Sequence, residues 1–181
     1  MRSSVTVGST ESSLITDFEA AATATGARVL FTTAADLRDF RASCANESGG
    51  LELGHSSDLS RILDWDAPDE VGPRPAIWIS RARLGIATTG TILVAERQAE
   101  DRIRALLCTK HILLLPSSRV VATHAEAAES VRSCIAGGLG YVTLISGPSR
   151  TSDIEKVVTL GAHGPTELDV ILVDRWDPGD D

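Results

Sequence analysis

The stretch SGPSRTSDIEKVVTLGAHGPTELDVILV, residues 146–173, gathers Ser149, Arg150, Thr151, Ser152, Asp153, Glu155 and His163 between two apolar runs, with three glycines and two prolines among them. Gly147-Pro148 stops whatever strand precedes it. Ser152-x-x-Glu155 matches a capping box, which predicts a helical turn from Asp153. That turn would aim the amides of residues 152–155 outward, with Arg150 and the hydroxyls of Ser149 and Thr151 beside them. Free amides plus a guanidinium suit a small anion such as a phosphate or carboxylate, or a partner's acidic side chain. Asp153 and Glu155 oppose this, because they can neutralise the helix end and pair with Arg150. Two roles for Arg150 therefore stand: it pins the loop, or it holds a ligand. Gly161-Ala162-His163-Gly164-Pro165 predicts a tight turn. Histidine is the side chain that, unperturbed, titrates near neutrality, so His163 is the acid–base candidate, with a turn histidine bonded to backbone as the alternative.

A second polar island is ATTGT, residues 87–91. Thr88, Thr89 and Thr91 are expected to line a strand over 85–95 around Gly90, where a ligand or a neighbouring backbone can come close. Threonine is also an ordinary strand residue. His111 opens an apolar run and reads as a core or strand-end residue, while His55 and His124 read as helix-start surface residues. No pair of histidines has metal-site spacing. Cys44, Cys108 and Cys134 are far apart without a C-x-x-C pair, so reduced structural thiols are expected and neither a metal site nor a cofactor of the chain's own.

These residues need a scaffold. Helices are predicted over 10–25, 33–50, 55–65, 96–108 and 123–138. In the last, Thr123 and Glu126 form a capping box and Gly137-Gly138 end the helix. Strands are predicted over 27–32, 76–82, 85–95, 111–116, 141–146 and 167–173. HILLLP (111–116) is a continuous apolar run of the kind buried on both faces of a sheet. Alternation of helices with short apolar strands predicts an α/β fold, three-layer α/β/α with a largely parallel sheet. Ligands in such sheets bind off the carboxyl ends of strands, and SGPSR directly follows the strand YVTLIS.

At 181 residues the chain is expected to form a single domain, residues 1–181, with an N-terminal helical segment (1–26) and a frayed acidic tail (174–181). The net charge of −8 argues against nucleic-acid binding, which draws on Lys and Arg contacts to phosphates. No apolar run reaches the ~20 residues of a membrane span, and residues 1–13 lack a signal peptide's apolar core, so a cytoplasmic protein is expected.

The blocks ATTGTILV (87–94), KHILLLP (110–116), SGPSRTSDIE (146–155) and LGAHGPTELDVILV (160–173), in that order, resemble the LUD-domain family of the lactate-utilisation protein C type. The resemblance covers roughly residues 76–173. It implies a fold like that of sugar-phosphate isomerases, glucosamine-phosphate deaminases and CoA transferases. It also implies a place in a three-protein system oxidising L-lactate to pyruvate, whose iron–sulfur clusters sit in the partner subunits. The implied ligand-binding set is Thr89, Gly90, Thr91, Gly147, Ser149, Arg150, Thr151, Asp153, Glu155, His163 and Gly164. Relatives often carry an acidic residue just before TGT, where this chain has Thr88. A carboxylate can act as base or nucleophile where an unaided hydroxyl cannot.

Three readings follow. The first is an accessory component of lactate oxidation that binds a small anion, an iron–sulfur partner or both. The second is a stand-alone enzyme on a phosphorylated or carboxylate substrate, with Arg150 holding the anionic group and His163 moving a proton. The third is a purely architectural loop, closed by pairing of Arg150 with Asp153 and Glu155.

Overall fold

The computed structural model describes residues 9–37, 39–40, 51–53, 59, 62–63, 75–152, 158–160 and 164–176. Among these, helices are α1 (Ser9–Ala24), α2 (Ala99–Leu107) and α3 (His124–Ala136). Strands are β1 (Arg28–Thr33), β2 (Leu51–Leu53), β3 (Ile77–Arg81), β4 (Leu84–Ile86), β5 (Thr91–Glu96), β6 (Lys110–Pro116), β7 (Val120–Val121), β8 (Tyr141–Ile145), β9 (Arg150–Ser152), β10 (Val158–Leu160) and β11 (Glu167–Asp174).

The continuous apolar runs make the centre of the main sheet. Its order is β1-β11-β6-β3-β2, with every pairing parallel. Strands β6 and β11 are buried on both faces, as their lack of polar alternation requires. Their period-two geometry divides one apolar run between two cores. Leu113, Leu115, Leu168, Val170 and Leu172 pack with Phe18 and Ala22 of α1. Ile112, Leu114, Ile171 and Val173 pack on the other face with Leu37, Leu59 and Leu63. Leu59 and Leu63 are both helical and four residues apart, and both are fully buried in this core. The α/β fold with a largely parallel sheet is thus as expected.

A second sheet was not foreseen. Its order is β7-β4-β5-β8, with β4-β5 and β5-β8 antiparallel and β4-β7 parallel. One face, with Ile92 and Val94, closes the core that contains Phe18. The other, with Leu84, Ile86 and Leu93, is covered by Ala127 and Val131 of α3. The expected single strand over 85–95 is in fact a hairpin. Residues 87–90 form its turn, Gly90 sits at φ 63°, and its N–H donates to the Ile86 carbonyl at 2.9 Å. Glycine at a left-handed position ends the strand.

Helix ends follow their signals. At α1, Gly26 has φ 97°, Gly26 N–H bonds Thr23 O, and Ala27 N–H bonds Ala22 O, a Schellman closure. Helix α3 ends in the same way at Gly138, with Leu139 N–H on Cys134 O. At its start Thr123 Oγ1 accepts from Glu126 N–H, and Glu126 Oε2 accepts from Ala122 N–H at 3.1 Å. Trp176 packs into the core that contains Leu37, Leu59 and Leu63, where it is 9% exposed, and the rest of the expected acidic tail, 177–181, lies outside the described residues. No helix among the described residues is long and apolar enough to cross a membrane.

Candidate functional site

The TTGT turn and the loop after β8 meet in the structure. Thr89 Oγ1 lies 2.8 Å from Thr91 Oγ1, which lies 2.7 Å from Ser146 Oγ, giving a three-hydroxyl chain. Thr91 is buried, whereas Thr89 and Ser146 reach solvent, so the chain links the interior to the surface. Two glycines let helix α1 close on these loops. A Cβ on Gly90 would stand 2.1 Å from Ala22 N and 2.4 Å from its Cα. A Cβ on Gly147, at φ 78°, would stand 2.3 Å from Thr25 O. Both contacts are with backbone, which cannot rotate away.

Arg150 is exposed and lies over Gly26, since a Cβ there would meet its guanidinium. Gly26 ends α1, so the cation sits at the helix's negative pole. Ser149 packs against Gly164, and its N–H donates to Pro165 O at 2.9 Å. The expected ligand residues Thr89, Gly90, Thr91, Gly147, Ser149, Arg150 and Gly164 are thus brought to one region around the end of α1. Thr151 follows in β9, a ribbon paired antiparallel with β10. Asp153, Glu155 and His163 lie outside the described residues, as does the turn expected at Asp153.

The position of this region differs from the expectation. It follows the carboxyl end of β8, but β8 belongs to the mixed sheet. Relative to the parallel sheet it lies at the amino ends, because Gly26 precedes β1 and Gly164-Pro165 precede β11. The carboxyl-end rule assumes that the preceding strand lies in the parallel sheet.

Sequence reasoning missed an ion cluster at this same end. Asp169, 3% exposed, accepts from Arg28 Nε at 3.0 Å and pairs with Lys110 Nζ at 3.5 Å. Lys110 also reaches Glu167 at 3.9 Å. The cluster ties β1, β11 and β6 together at their first residues. The signal was present: a lone carboxylate inside the apolar run of β11 has to be paired if buried.

The LUD domain family description matches residues 75–173. The chain belongs to the LUD domain family. The matched span contains the TTGT turn, β6, the SGPSR loop and β11. Lactate utilization protein C of Anoxybacillus flavithermus is 29% identical over 141 residues, covering 71% of this chain and 61% of that protein. Lactate utilization protein C of Bacillus subtilis is 28% identical over 125 residues, covering 65% and 52%. The chain therefore spans about half to three-fifths of the length of these curated relatives. A crystal structure of a DUF162 family protein from Deinococcus radiodurans superposes with TM-score 0.68 at 20% identity, over 90% of this chain and 98% of that one.

Within this LUD domain, other titratable groups serve the core. His111 is buried, shares a hydrogen bond between Nε2 and Ser80 Oγ at 2.9 Å, and is held neutral by burial, its pKa lowered to about 4. Burial raises the Cys108 thiol to about 12, and Cys108 and Cys134 are free and buried; Cys44 lies outside the described residues. Glu96, at the end of β5, is raised to about 7, first by burial and then by Asp101, with Arg102 opposing.

Glu96 and His111 have opposite linkage. A carboxyl that keeps its proton in the folded state destabilises the fold as pH rises from 4.5 to 7. A histidine held neutral destabilises it as pH falls from 6.5 to 4. Between 4.5 and 6.5 the two slopes cancel. Glu96→Gln is expected to stabilise the protein by about 2 kcal/mol at pH 8 and by almost nothing at pH 4.5. It should also unmask the acid-side loss due to His111. Urea unfolding of both proteins across this range checks it, and a difference independent of pH would contradict it.

Proposed function

We propose that this chain serves lactate utilisation as a binding component that holds a small carboxylate and docks to an iron–sulfur partner which carries the electrons. The observation that carries the reading is the convergence of the Thr89–Thr91–Ser146 hydroxyl chain with Arg150 around the end of α1, in a family whose relatives are named lactate utilization protein C. A guanidinium recognises a carboxylate by paired N–H donors. Hydroxyls can both donate to and accept from the neighbouring hydroxyl or keto oxygen of a lactate-sized acid.

A solvated hydroxyl at Thr88, where relatives often place an acid, supplies no general base at that position. This favours binding over chemistry by the chain alone. Its ligand-binding set is Thr89, Gly90, Thr91, Gly147, Ser149, Arg150 and Gly164, with Thr151, Asp153, Glu155 and His163 supplied by the segments that follow the loop. The unit acts as one domain in the cytoplasm.

Affinity purification of the tagged chain from its native host, grown on L-lactate without oxygen exposure during lysis, is expected to recover an iron–sulfur protein identifiable by its visible absorption and by mass spectrometry. Recovery of the chain alone would contradict the docking role.

A further inference from the structure

Strand β8 ends the mixed sheet. Among the described residues it pairs only with β5, so its other side presents backbone N–H and C=O groups along Tyr141–Ile145. An open edge invites another strand, and proteins guard such edges with very short strands, charged side chains, proline or bulges. The other ends of the two larger sheets carry such guards. Strand β7 has two residues and follows Arg119, β2 has three and includes Glu52, and β1 starts with Arg28. Strand β8 has five residues, YVTLI, in unbroken register with β5, and none of these devices. It lies within residues 133–149, seventeen residues without a charged side chain and the longest such run in the chain.

The edge is also apolar on the side of α3. Leu144 stands opposite Leu93, so both project to the face on which α3 packs. There Leu93 is fully buried, whereas Leu144 is 51% exposed. Ile135, one turn beyond Val131 on α3, is 61% exposed. A Cβ added at Gly140, just before β8, would meet nothing within 4 Å. Open space, exposed aliphatic side chains and an unpaired strand edge coincide here.

The strand is complementary to itself. Turned antiparallel about Thr143, a second copy sets Tyr141 against Ile145, Val142 against Leu144, and Thr143 against Thr143. Alternation then gathers Val142 and Leu144 of both copies on the α3 face, which covers the exposed Leu144. The run offers no charge for a charged partner to read. Two copies of a chain with net charge −8, however, can meet along it without bringing like charges together. Aliphatic cover and depletion of charge are marks of homodimer interfaces. In this register Ser146 stands opposite Gly140 of the second copy, so the glycine turn of each copy borders the SGPSR loop of the other.

We propose that β8 is the two-fold interface of a homodimer, in which two four-stranded mixed sheets join edge to edge.

Sedimentation equilibrium of the full chain from about 1 to 100 μM tests it, with amide hydrogen exchange read at both limits. A dimer is expected at the upper limit. The outward amides of Tyr141–Ile145 should exchange more slowly there than in dilute solution, and those of Val120–Val121 should not change. Leu144→Lys brings like charges together in the shared cluster and should weaken the dimer about a hundredfold or more, with the far-UV circular dichroism of wild type. A monomer throughout the range would overturn the proposal. So would a dimer whose β8 amides exchange equally fast at both concentrations, a dimer that Leu144→Lys leaves intact, or protection of β8 only when a different protein is bound. Exchange in the unmodified chain decides the matter even if the variant fails to fold.

Discussion

Gly90→Ala is expected to lower stability by about 3 kcal/mol or more, although it adds a single methyl group. Two costs combine. The residue sits at φ 63°, where an L side chain costs about 1–2 kcal/mol. The new Cβ would also stand 2.1–2.5 Å from backbone atoms of Ala21 and Ala22, so α1 must move away from the turn. Overpacking of this kind costs about 1–3 kcal/mol, and here no rotamer change can reduce it. Gly140 provides the control, since a Cβ there meets nothing within 4 Å, and Gly140→Ala should stay within about 0.5 kcal/mol of wild type. Urea unfolding of the three proteins settles it. A Gly90→Ala protein as stable as wild type would mean that α1 does not close on the TTGT turn.

The second large effect is at Asp169. Removing this carboxylate leaves Lys110, whose side chain is 12% exposed, with Glu167 at 3.9 Å on β11, and takes from Arg28 its ion-pair partner on that strand. Loss of one partner from a buried ion pair costs about 3–5 kcal/mol. Arg28 is largely exposed and can return to water, so the lower end of that range applies and Asp169→Ala should lose about 3 kcal/mol. Because the three strands start at this cluster, amide exchange should accelerate first at Arg28, Lys110 and Glu167. A loss below about 1 kcal/mol would show that the cluster is solvated rather than structural.

Much of the fold was legible because its signals are local. The apolar runs of β6 and β11 require burial on both faces, and the Thr123–Glu126 box and the glycines after α1 and α3 fix helix ends through backbone hydrogen bonds that need no tertiary information. The family resemblance rested on four blocks in order, all inside the span that the LUD domain description matches. The separate mixed sheet was not legible. Its strands β4 and β7 have three and two residues, too short to show a period, and which sheet a strand joins is decided by long-range pairing. The same blindness put the SGPSR loop at a carboxyl end, when the parallel sheet presents its amino ends there.

The measurement that bears most directly on the function is thermal unfolding of wild type and Arg150→Ala with lactate and pyruvate, with phosphate for comparison. A ligand at about 100 times its Kd stabilises by about 2.7 kcal/mol, which raises Tm by roughly 5–10 °C in a domain of this size. Lactate or pyruvate should give that rise in wild type and none in a folded Arg150→Ala protein. Equal Tm values with and without either acid, together with an apo Tm that drops sharply in Arg150→Ala, would instead make Arg150 a pin for the end of α1 and remove the carboxylate site.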